Sequence, residues 1–221
     1  MSADSLLALG LSVKVATVAT LVNAAVGVPL SYLLARKQFR GKALVDLLAT
    51  LPLILPPTVT GYYLIILLGR RGWLGGPLYA LTGWSVTFTW YAAVIASAVM
   101  AFPLLVRTAR AAIESVDRDL ERVALTLGRT EWQTAREVTL PLARNGILAG
   151  LVLAFARSLG EFGATLMLAG NIPGKTATVP LAIYTAVQTG ETSEVVLLVS
   201  ALTAVSCLVI YLAGRLGTTA P

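Results

Sequence analysis

The segment LERVALTLGRTEWQTAREVTLPL, residues 120–142, lies near the middle of the chain and carries the signals that end one short helix and start another. Gly128 can end the first helix, because glycine adopts the left-handed backbone conformation at little cost. Thr130 and Gln133 then have the spacing of a capping box, in which each side chain satisfies a free backbone N–H group at the start of a helix. The second helix is expected to end before Pro141, because the residue preceding a proline disfavours the helical conformation.

The second helix carries an apolar strip between polar residues. Trp132, Ala135 and Val138 recur at every third position. Such a strip is typical of a helix that lies on lipid headgroups, and it also suits contact with another protein. The surrounding residues 107–144 form the longest polar stretch of the chain, so we expect a soluble loop there.

The rest of the chain has the composition of a membrane protein. Of its 221 residues, 57% are hydrophobic and 13% are charged, whereas soluble domains have about 25% charged residues. The mean hydropathy is +0.80. The chain has no histidine, which is the commonest metal ligand and general base. Its one cysteine, Cys207, excludes a disulfide within the chain. We therefore predict neither catalytic residues nor a metal site.

Five stretches are long and apolar enough to cross a membrane as helices. A crossing helix needs roughly 20 apolar residues, because about 30 Å of hydrocarbon is spanned at about 1.5 Å per residue. We therefore predict an all-α membrane protein with one domain over residues 8–215. Its spans are placed at 8–35, 46–69, 84–106, 145–168 and 195–214. The run at 177–190 is too short to cross, which favours a re-entrant or interfacial segment, and six spans are the alternative.

Positive charges are distributed unevenly over the predicted loops. Lys and Arg accumulate in cytoplasmic loops, and twelve lie on one side of the predicted spans against three on the other. The twelve are Arg36, Lys37, Arg40, Lys42, Arg107, Arg110, Arg118, Arg122, Arg129, Arg136, Arg144 and Arg215, and the three are Arg70, Arg71 and Lys175. This predicts a multi-pass protein of the cytoplasmic (inner) membrane with its N-terminus outside, its C-terminus inside and the loop 107–144 in the cytoplasm. The net charge of +6 is then a matter of topology and membrane lipid, and no nucleic acid partner is expected.

Residues 169–176 read A-x-x-x-x-G-K-T, one glycine short of a phosphate-binding loop. A genuine loop of this kind follows a strand and opens a helix in a βαβ unit, and no such unit is predicted. The segment also follows the fourth span on the outer side, away from cytosolic ATP. We therefore interpret the match as a coincidence.

Two charged residues interrupt the fourth span. Arg157 and Glu161 are four residues apart, so they lie on one face of a helix. Each costs about 2.5–3.5 kcal/mol at the centre of a membrane helix, and such groups usually pair or face water. We favour a structural role, as a mutual salt bridge or as bridges to other spans. The alternative is that Arg157 attracts an anion into a transport pathway.

The same span carries a stripe of small residues at Gly146, Gly150, Ala154 and Ser158. Small residues let helix backbones approach closely in a membrane, so the span is expected to pack tightly against its own bundle or against a second copy. Prolines predict kinks in the other spans. They are Pro29 in the first, Pro52, Pro56 and Pro57 in the second, and Pro103 in the third.

The loop 107–144 resembles the EAA loop of type I ABC importer permeases, written E-A-A-x3-G-x9-I-x-L-P. The positions that carry the resemblance in spacing and type are Gly128, Val138, Leu140 and Pro141. The first two positions depart from the pattern. Arg122 stands where glutamate is usual, with Glu121 one residue earlier, and Val123 replaces alanine.

The resemblance implies the fold of these permeases and a cytoplasmic coupling helix that docks on a separate ATP-hydrolysing subunit. The residues it assigns to coupling are Gly128, Thr130, Trp132, Ala135, Val138, Leu140 and Pro141. It further implies an assembly with a second copy of the chain, two ATP-binding cassette subunits and an extracytoplasmic substrate-binding protein. ATP and magnesium would be bound by the partner ATPase subunits, so neither a cofactor nor an enzymatic activity is expected of this chain.

Further segments resemble the oxyanion permeases of this family. FARSLGEFGA, residues 155–164, is similar to molybdate and sulfate permeases alike. The segments 51–75 and NIPGKTATVPLAIY, residues 171–184, favour molybdate, with tungstate as a related cargo. Sulfate or thiosulfate is the alternative within the family. An ATP-independent channel or secondary transporter is disfavoured, because the chain has no internal repeat and Glu161 is the only carboxylate well inside a predicted span.

Overall fold

The computed structural model describes residues 3–218, with side chains described for residues 4–211. Within this range the chain is helical and has no β-strand. Its helices are α1 (Ala3–Arg36), α2 (Lys42–Ile54), α3 (Pro57–Leu68), α4 (Gly75–Thr82), α5 (Trp90–Glu114), α6 (Arg118–Thr126), α7 (Glu131–Thr134), a π-helix (Ala135–Thr139), α8 (Leu140–Leu159), α9 (Gly163–Ala169), α10 (Val179–Thr189) and α11 (Thr192–Thr218). The prediction of an all-α chain is confirmed.

Four helical stretches in the described residues have the length and apolar composition needed to cross a membrane. They are Asp4–Arg36, Trp90–Glu114, Glu131–Leu159 and Thr192–Tyr211. They correspond to the first, third, fourth and fifth predicted spans, although their ends differ.

Helix α5 lies at the centre of the bundle and contacts α1, α2, α8 and α9. Its packed face is rich in alanine, and small side chains let neighbouring backbones approach closely. The completely buried alanines of this helix are Ala92, Ala93, Ala96, Ala101 and Ala109.

Two polar side chains of α1 bond to the backbone of α5. Asn23 Nδ2 donates to Ala98 O at 3.0 Å, and Ser31 Oγ lies 3.2 Å from Val106 O. Both residues of α1 are buried. These two contacts lie eight residues apart on each helix and join α1 to the middle of α5.

The small-residue stripe predicted on the fourth span packs against α5 of the same chain. A Cβ atom added to Gly146 would lie 2.3 Å from Ala112 Cβ. At the other end of the stripe, Ser158 Oγ donates to a backbone carbonyl of α5 at 3.4 Å. Gly150 and Ala154, between these contacts, are buried. Of the two partners that the sequence left open, the structure therefore places the chain's own bundle against this stripe.

The predicted second span, 46–69, is divided into two helices at a pair of prolines, where the sequence predicts a kink. Helix α2 ends at Ile54 and α3 begins at Pro57. Leu55 precedes a proline and has an extended backbone with ψ 143°. Pro57 occupies the first turn of α3, where its missing N–H group is not needed.

The predicted fourth span, 145–168, is also interrupted. Three non-helical residues separate α8 from α9. This break packs against the break between α2 and α3. A Cβ atom on Gly163 would lie 3.0 Å from Pro57 Cβ, and one on Gly61 would lie 2.9 Å from Ala164 Cα. Glycine at both positions therefore allows the two interrupted spans to touch.

Helix α5 begins and ends later than the third predicted span, 84–106. Helix α5 starts at Trp90 because Thr89 Oγ1 accepts a hydrogen bond from Ala92 N–H at 3.3 Å and caps the helix. The helix then continues to Glu114. The first predicted span, 8–35, lies within α1.

The run at 177–190 forms α10, an 11-residue helix shorter than a membrane crossing. It packs against α11 and α1, and Val179 N–H donates to Ser12 Oγ at 2.7 Å. Helix α11 contains the predicted fifth span, 195–214. The side chains after Tyr211, including that of Arg215, lie outside the described residues.

Replacing Gly146 with alanine is expected to destabilise the folded chain by about 1–3 kcal/mol, because overpacking a tight contact forces backbone shifts. The new methyl group would lie 2.3 Å from Ala112 Cβ, which belongs to a side chain too short to move aside. Gly10→Ala is the control, because Gly10 lies in α1 with no atom within 4 Å of the added Cβ. Alanine favours helix over glycine, so the control should be neutral or slightly stabilising. Thermal unfolding in one detergent measures both, and a wild-type Tm for Gly146→Ala would contradict the packing.

Candidate functional site

Helix α6 begins with a side-chain cap and is followed by a left-handed glycine. Asp117 Oδ1 accepts a hydrogen bond from Asp119 N–H at 2.9 Å. Gly128 has φ +83°, and the N–H groups of Gly128 and Arg129 bond back to carbonyls of α6. Gly128 therefore ends this helix, as the sequence predicts.

The predicted capping box is confirmed. Thr130 Oγ1 accepts a hydrogen bond from Gln133 N–H at 3.2 Å, and Gln133 Oε1 accepts one from Thr130 N–H at 2.9 Å. These two bonds start α7 immediately after the turn at Gly128. Helices α6 and α7 are thus joined by a tight corner.

The helix that starts at α7 does not end before Pro141, and this prediction is wrong. Helix α7 runs into the π-helix and then into α8, so Glu131–Leu159 is one helical stretch of 29 residues. In the π turn, Leu140 N–H bonds to Ala135 O, five residues earlier. The wider turn accommodates a proline that lacks an N–H group. The corner at α7 is therefore directly continuous with a membrane-length helix.

The three residues of the predicted apolar strip do not lie on one face of the helix. Trp132 is 72% exposed and Ala135 is 2% exposed, while Val138 is half-buried. Three residues correspond to about 300° of helical rotation, so positions at this spacing drift around the helix. Leu140 packs into an apolar cluster of α1, α5 and α8, and Pro141 is exposed.

Trp132 is exposed, and the adjoining helix α6, which contacts α7, also presents exposed apolar residues. Leu120, Val123 and Leu127 are exposed over 49%, 56% and 78% of their surface. Their spacing of three and four residues places them on one helix face. We call Leu120, Val123, Leu127 and Trp132 the α6–α7 surface. The sequence interpretation missed the α6 part, although apolar residues at i, i+3 and i+7 indicate it.

One carboxylate of this loop, that of Glu121, points toward the helix bundle. Glu121 Oε1 accepts hydrogen bonds from Arg36 Nε at 2.9 Å and from Thr139 Oγ1 at 2.6 Å. Arg122, at the motif position where glutamate is usual, is exposed and pairs with Asp119 at 2.8 Å. Glu121 therefore supplies the inward carboxylate although it precedes the motif position by one residue.

Two exposed ion pairs lie around this buried contact. Lys37 Nζ is 2.5 Å from Glu131 Oε2, and Arg129 Nε is 3.4 Å from Glu137 Oε2. The hydrogen bond to Glu131 raises the pKa of Lys37. Exposed pairs contribute little to stability, so the buried contact of Glu121 is the more stabilising of the polar contacts between this region and α1.

Glu161 lies in the break between α8 and α9, and both of its oxygens have neighbours. Oε1 accepts a hydrogen bond from Ala164 N–H at 2.8 Å, and Oε2 forms an ion pair with Arg157 Nη1 at 2.7 Å. The ion pair is not aligned as a hydrogen bond. The side chain of Glu161 is 1% exposed and that of Arg157 is 30% exposed. Arg157 and Glu161 therefore form the mutual salt bridge that the sequence favours. In addition, Glu161 accepts a hydrogen bond from an N–H group in the first turn of α9.

Three cavities lie away from this region, and one of them, of about 340 Å³ beside the ends of α3 and α9, is lined by Arg70. The other two differ in polarity. An apolar groove of about 550 Å³ lies between α1, α2 and α5. A polar pocket of about 310 Å³ lies where the start of α1 meets α10 and α11, and Asp4, Asn171 and Glu191 are among its lining residues. Neither lining contains a cationic side chain. Among the residues that the structure describes, no group of three or more His, Cys, Asp or Glu side chains is arranged to hold a metal ion.

Comparison with known proteins gives relatives along most of the chain. The model of the family described as "Binding-protein-dependent transport system inner membrane component" matches residues 27–216. The chain is 51% identical to the molybdenum transport system permease protein ModB of Escherichia coli K12, over 81% of this chain and 78% of that protein. It is 35% identical to the probable sulfate transport system permease protein cysT of Chlorella vulgaris, over 79% of this chain and 65% of that protein.

Solved structures share the fold. The crystal structure of a bacterial ABC transporter involved in the import of the acidic polysaccharide alginate matches with a TM-score of 0.78 at 16% identity, covering 100% of this chain and 82% of that chain. The bacterial alginate ABC transporter in complex with alginate pentasaccharide-bound periplasmic protein matches with a TM-score of 0.77 at 16% identity and the same coverage. The permease fold that the EAA loop implied is confirmed. The chain is a multi-pass inner-membrane protein and belongs to the family of binding-protein-dependent transport system inner membrane components.

Proposed function

We propose that the chain is the membrane-spanning permease subunit of an ATP-driven importer that moves molybdate across the cytoplasmic membrane, with tungstate as a chemically similar cargo. Molybdate is favoured over sulfate by the 51% identity to the molybdenum permease, against 35% to the sulfate permease. The observation that carries the ATP-driven mechanism is the α6–α7 surface, which is exposed and whose Trp132 lies on a helical stretch that continues into α8.

The proposed assembly contains a second copy of the chain, two ATP-binding cassette subunits and an extracytoplasmic molybdate-binding protein. The cassette subunits bind ATP and magnesium, and molybdate passes through as cargo. The α6–α7 surface suits the cassette subunit because it is apolar and contains an exposed tryptophan, a residue enriched at the energetically dominant positions of interfaces. Leu127 and Trp132 are its most exposed members.

Transport in this assembly is a movement of rigid bodies. Closure of the cassette subunits on ATP draws the two α6–α7 surfaces together. Because Glu131–Leu159 is one helical stretch, a displacement at Trp132 is passed into the bundle and is not absorbed by a loop. Helix α8 packs tightly on α5 at Gly146, so the two helices move together. No bond of the cargo is formed or broken.

The proposed orientation places the α6–α7 surface in the cytoplasm, the N-terminus outside and the C-terminus inside. Arg36 contacts Glu121, and Lys37 contacts Glu131. These contacts bring the basic residues of two predicted cytoplasmic loops to one end of the bundle, as the positive-inside rule expects of the cytoplasmic end.

Reporter fusions test this orientation. A phosphatase that is active only outside the cytoplasm should be active when fused before residue 5 and inactive when inserted next to Arg129. A fluorescent protein that matures only in the cytoplasm should show the reverse. Phosphatase activity next to Arg129 would contradict the proposed orientation and the docking of a cytoplasmic ATPase there.

Uptake by the reconstituted complex tests the cargo. Vesicles that contain the permease and its cassette subunit, supplied with the binding protein, should accumulate molybdate only when ATP is present. Tungstate should compete, and a large excess of sulfate should not. Equal uptake without the cassette subunit would indicate a channel or secondary transporter, and competition by sulfate would indicate a sulfate permease.

Trp132→Ala should weaken binding of the cassette subunit about thirtyfold, because truncating a central aromatic residue of an interface costs about 2 kcal/mol. Trp73 is the matched control, because it is 80% exposed and lies in the loop between α3 and α4. Trp73→Ala should leave the affinity unchanged. Titration of the cassette subunit onto the permease in lipid nanodiscs measures both affinities, and an unchanged affinity for Trp132→Ala would contradict the proposed docking surface.

A further inference from the structure

Glu121 joins three segments that are far apart in the sequence: the end of α1, α6 and the π-helix that precedes α8. Its Oε1 atom accepts hydrogen bonds from Arg36 Nε at 2.9 Å and from Thr139 Oγ1 at 2.6 Å. Arg36 also donates through Nη2 to Val116 O at 2.9 Å, at the turn before α6. We call Arg36, Glu121 and Thr139 the clamp.

The clamp is shielded from water. The side chains of Arg36 and Glu121 are 6% and 15% exposed, and Thr139 is completely buried. Hydrogen bonds between charged groups are stronger than neutral ones, and salt screens buried pairs much less than exposed ones. The clamp therefore holds the three segments in one arrangement.

Apart from the clamp, α6 has little contact with α1, because it packs mainly on α7 and on the π-helix. The other ion pair between α1 and this region joins Lys37 and Glu131, whose side chains are 41% and 70% exposed. Water and salt weaken such a pair. The clamp is thus the main polar connection between α1 and the helix that carries most of the α6–α7 surface.

We propose that the clamp positions the α6–α7 surface relative to α1, so that displacement of this surface moves α1 and α8 together. This inference rests on the proposed function and adds the residues through which the motion enters a second helix. Without the clamp, Trp132 stays attached to α8 through the continuous helical stretch Glu131–Leu159, but α6 loses its polar connection to α1 and can shift relative to the bundle. Helix α1 packs along both α5 and α8, so a displacement of α6 that no longer reaches α1 leaves the bundle incompletely rearranged. Arg36, Glu121 and Thr139 are positioning residues and touch neither cargo nor nucleotide.

Thr139 offers the mildest change to the clamp. Thr139→Val keeps the branched shape of the buried side chain and removes the hydroxyl that donates to Glu121. Thr139→Ser keeps the hydroxyl and removes one methyl group. The two variants separate the hydrogen bond from the packing at one position.

The test uses the full complex in vesicles and measures two rates for each variant. These are the ATP hydrolysis stimulated by molybdate-loaded binding protein and the uptake of molybdate. Glu121→Gln and Arg36→Gln should each raise the ATP hydrolysed per molybdate transported by at least about tenfold, the factor expected for loss of charge-assisted hydrogen bonds. Thr139→Val should raise this ratio about threefold, since it removes one neutral donor, and Thr139→Ser should not change it.

Lys37→Gln and Glu131→Gln are the matched controls. They remove a charge from the exposed ion pair that joins the same two regions. Because exposed pairs contribute little, both controls should keep the ratio of the wild type.

The double variant Arg36→Gln/Glu121→Gln separates positioning from folding. It leaves no unpaired buried charge, so a purely structural role predicts that it restores both assembly and the wild-type ratio. The clamp as proposed predicts that assembly recovers while the ratio stays high. A wild-type ratio of ATP hydrolysed to molybdate transported in the double variant or in Thr139→Val overturns the inference. If Arg36→Gln or Glu121→Gln alone fails to assemble, the double variant and Thr139→Val still decide the inference. Absence of ATP-dependent uptake by the wild-type complex, measured first on the same vesicles, would instead contradict the proposed function itself.

Discussion

Hydrocarbon offers no hydrogen-bond partner to the backbone, and the architecture follows from that constraint. Long helices satisfy it within themselves. Where the chain is interrupted, between α2 and α3 and between α8 and α9, the two breaks cover each other. Gly61 and Gly163 allow the close approach, and Glu161 accepts the N–H of Ala164 at the start of α9. Its charge is balanced by Arg157. Two interruptions that would each be unfavourable in lipid are therefore stable against one another.

The sequence predicted those features that depend on neighbouring residues. The left-handed conformation of Gly128 and the capping box at Thr130 arise within a few positions, and the structure has both. The proline rules were less reliable. A proline pair ends α2 as the rule for the preceding residue expects, whereas Pro141 lies inside a continuous helical stretch. The difference is the π turn, in which Ala135 and Thr139 are buried against the bundle. That packing is tertiary, so no local rule contains it.

The contacts of Glu121 with the helix bundle could not be predicted from the spacing of residues in the sequence. Arg36 and Glu121 are 85 positions apart. The helical period places Glu121 away from Leu120 and Val123, but it does not say which face of α6 meets the bundle. The arginine at the end of α1 decides this by binding the carboxylate. The small-residue stripe of α8 had the same ambiguity, since its spacing suits the chain's own bundle and a second copy equally. Only the position of α5 resolves it.

Two of the cations that lie within the long apolar helices have local partners, and this bears on the proposed cargo. Arg157 is 2.7 Å from Glu161, and Lys14 Nζ lies 3.8 Å from the centre of the Trp90 ring. Neither the apolar groove nor the polar pocket is lined by a cation. Neither of these two cavities offers a fixed positive charge that would hold a dianion tightly, which suits a subunit that must release what it admits. In the proposed assembly, selection of the cargo is then assigned to the binding protein and movement to the permease. The best-defined polar geometry accordingly lies in the clamp, beside the α6–α7 surface, at the end where the proposed assembly hydrolyses ATP.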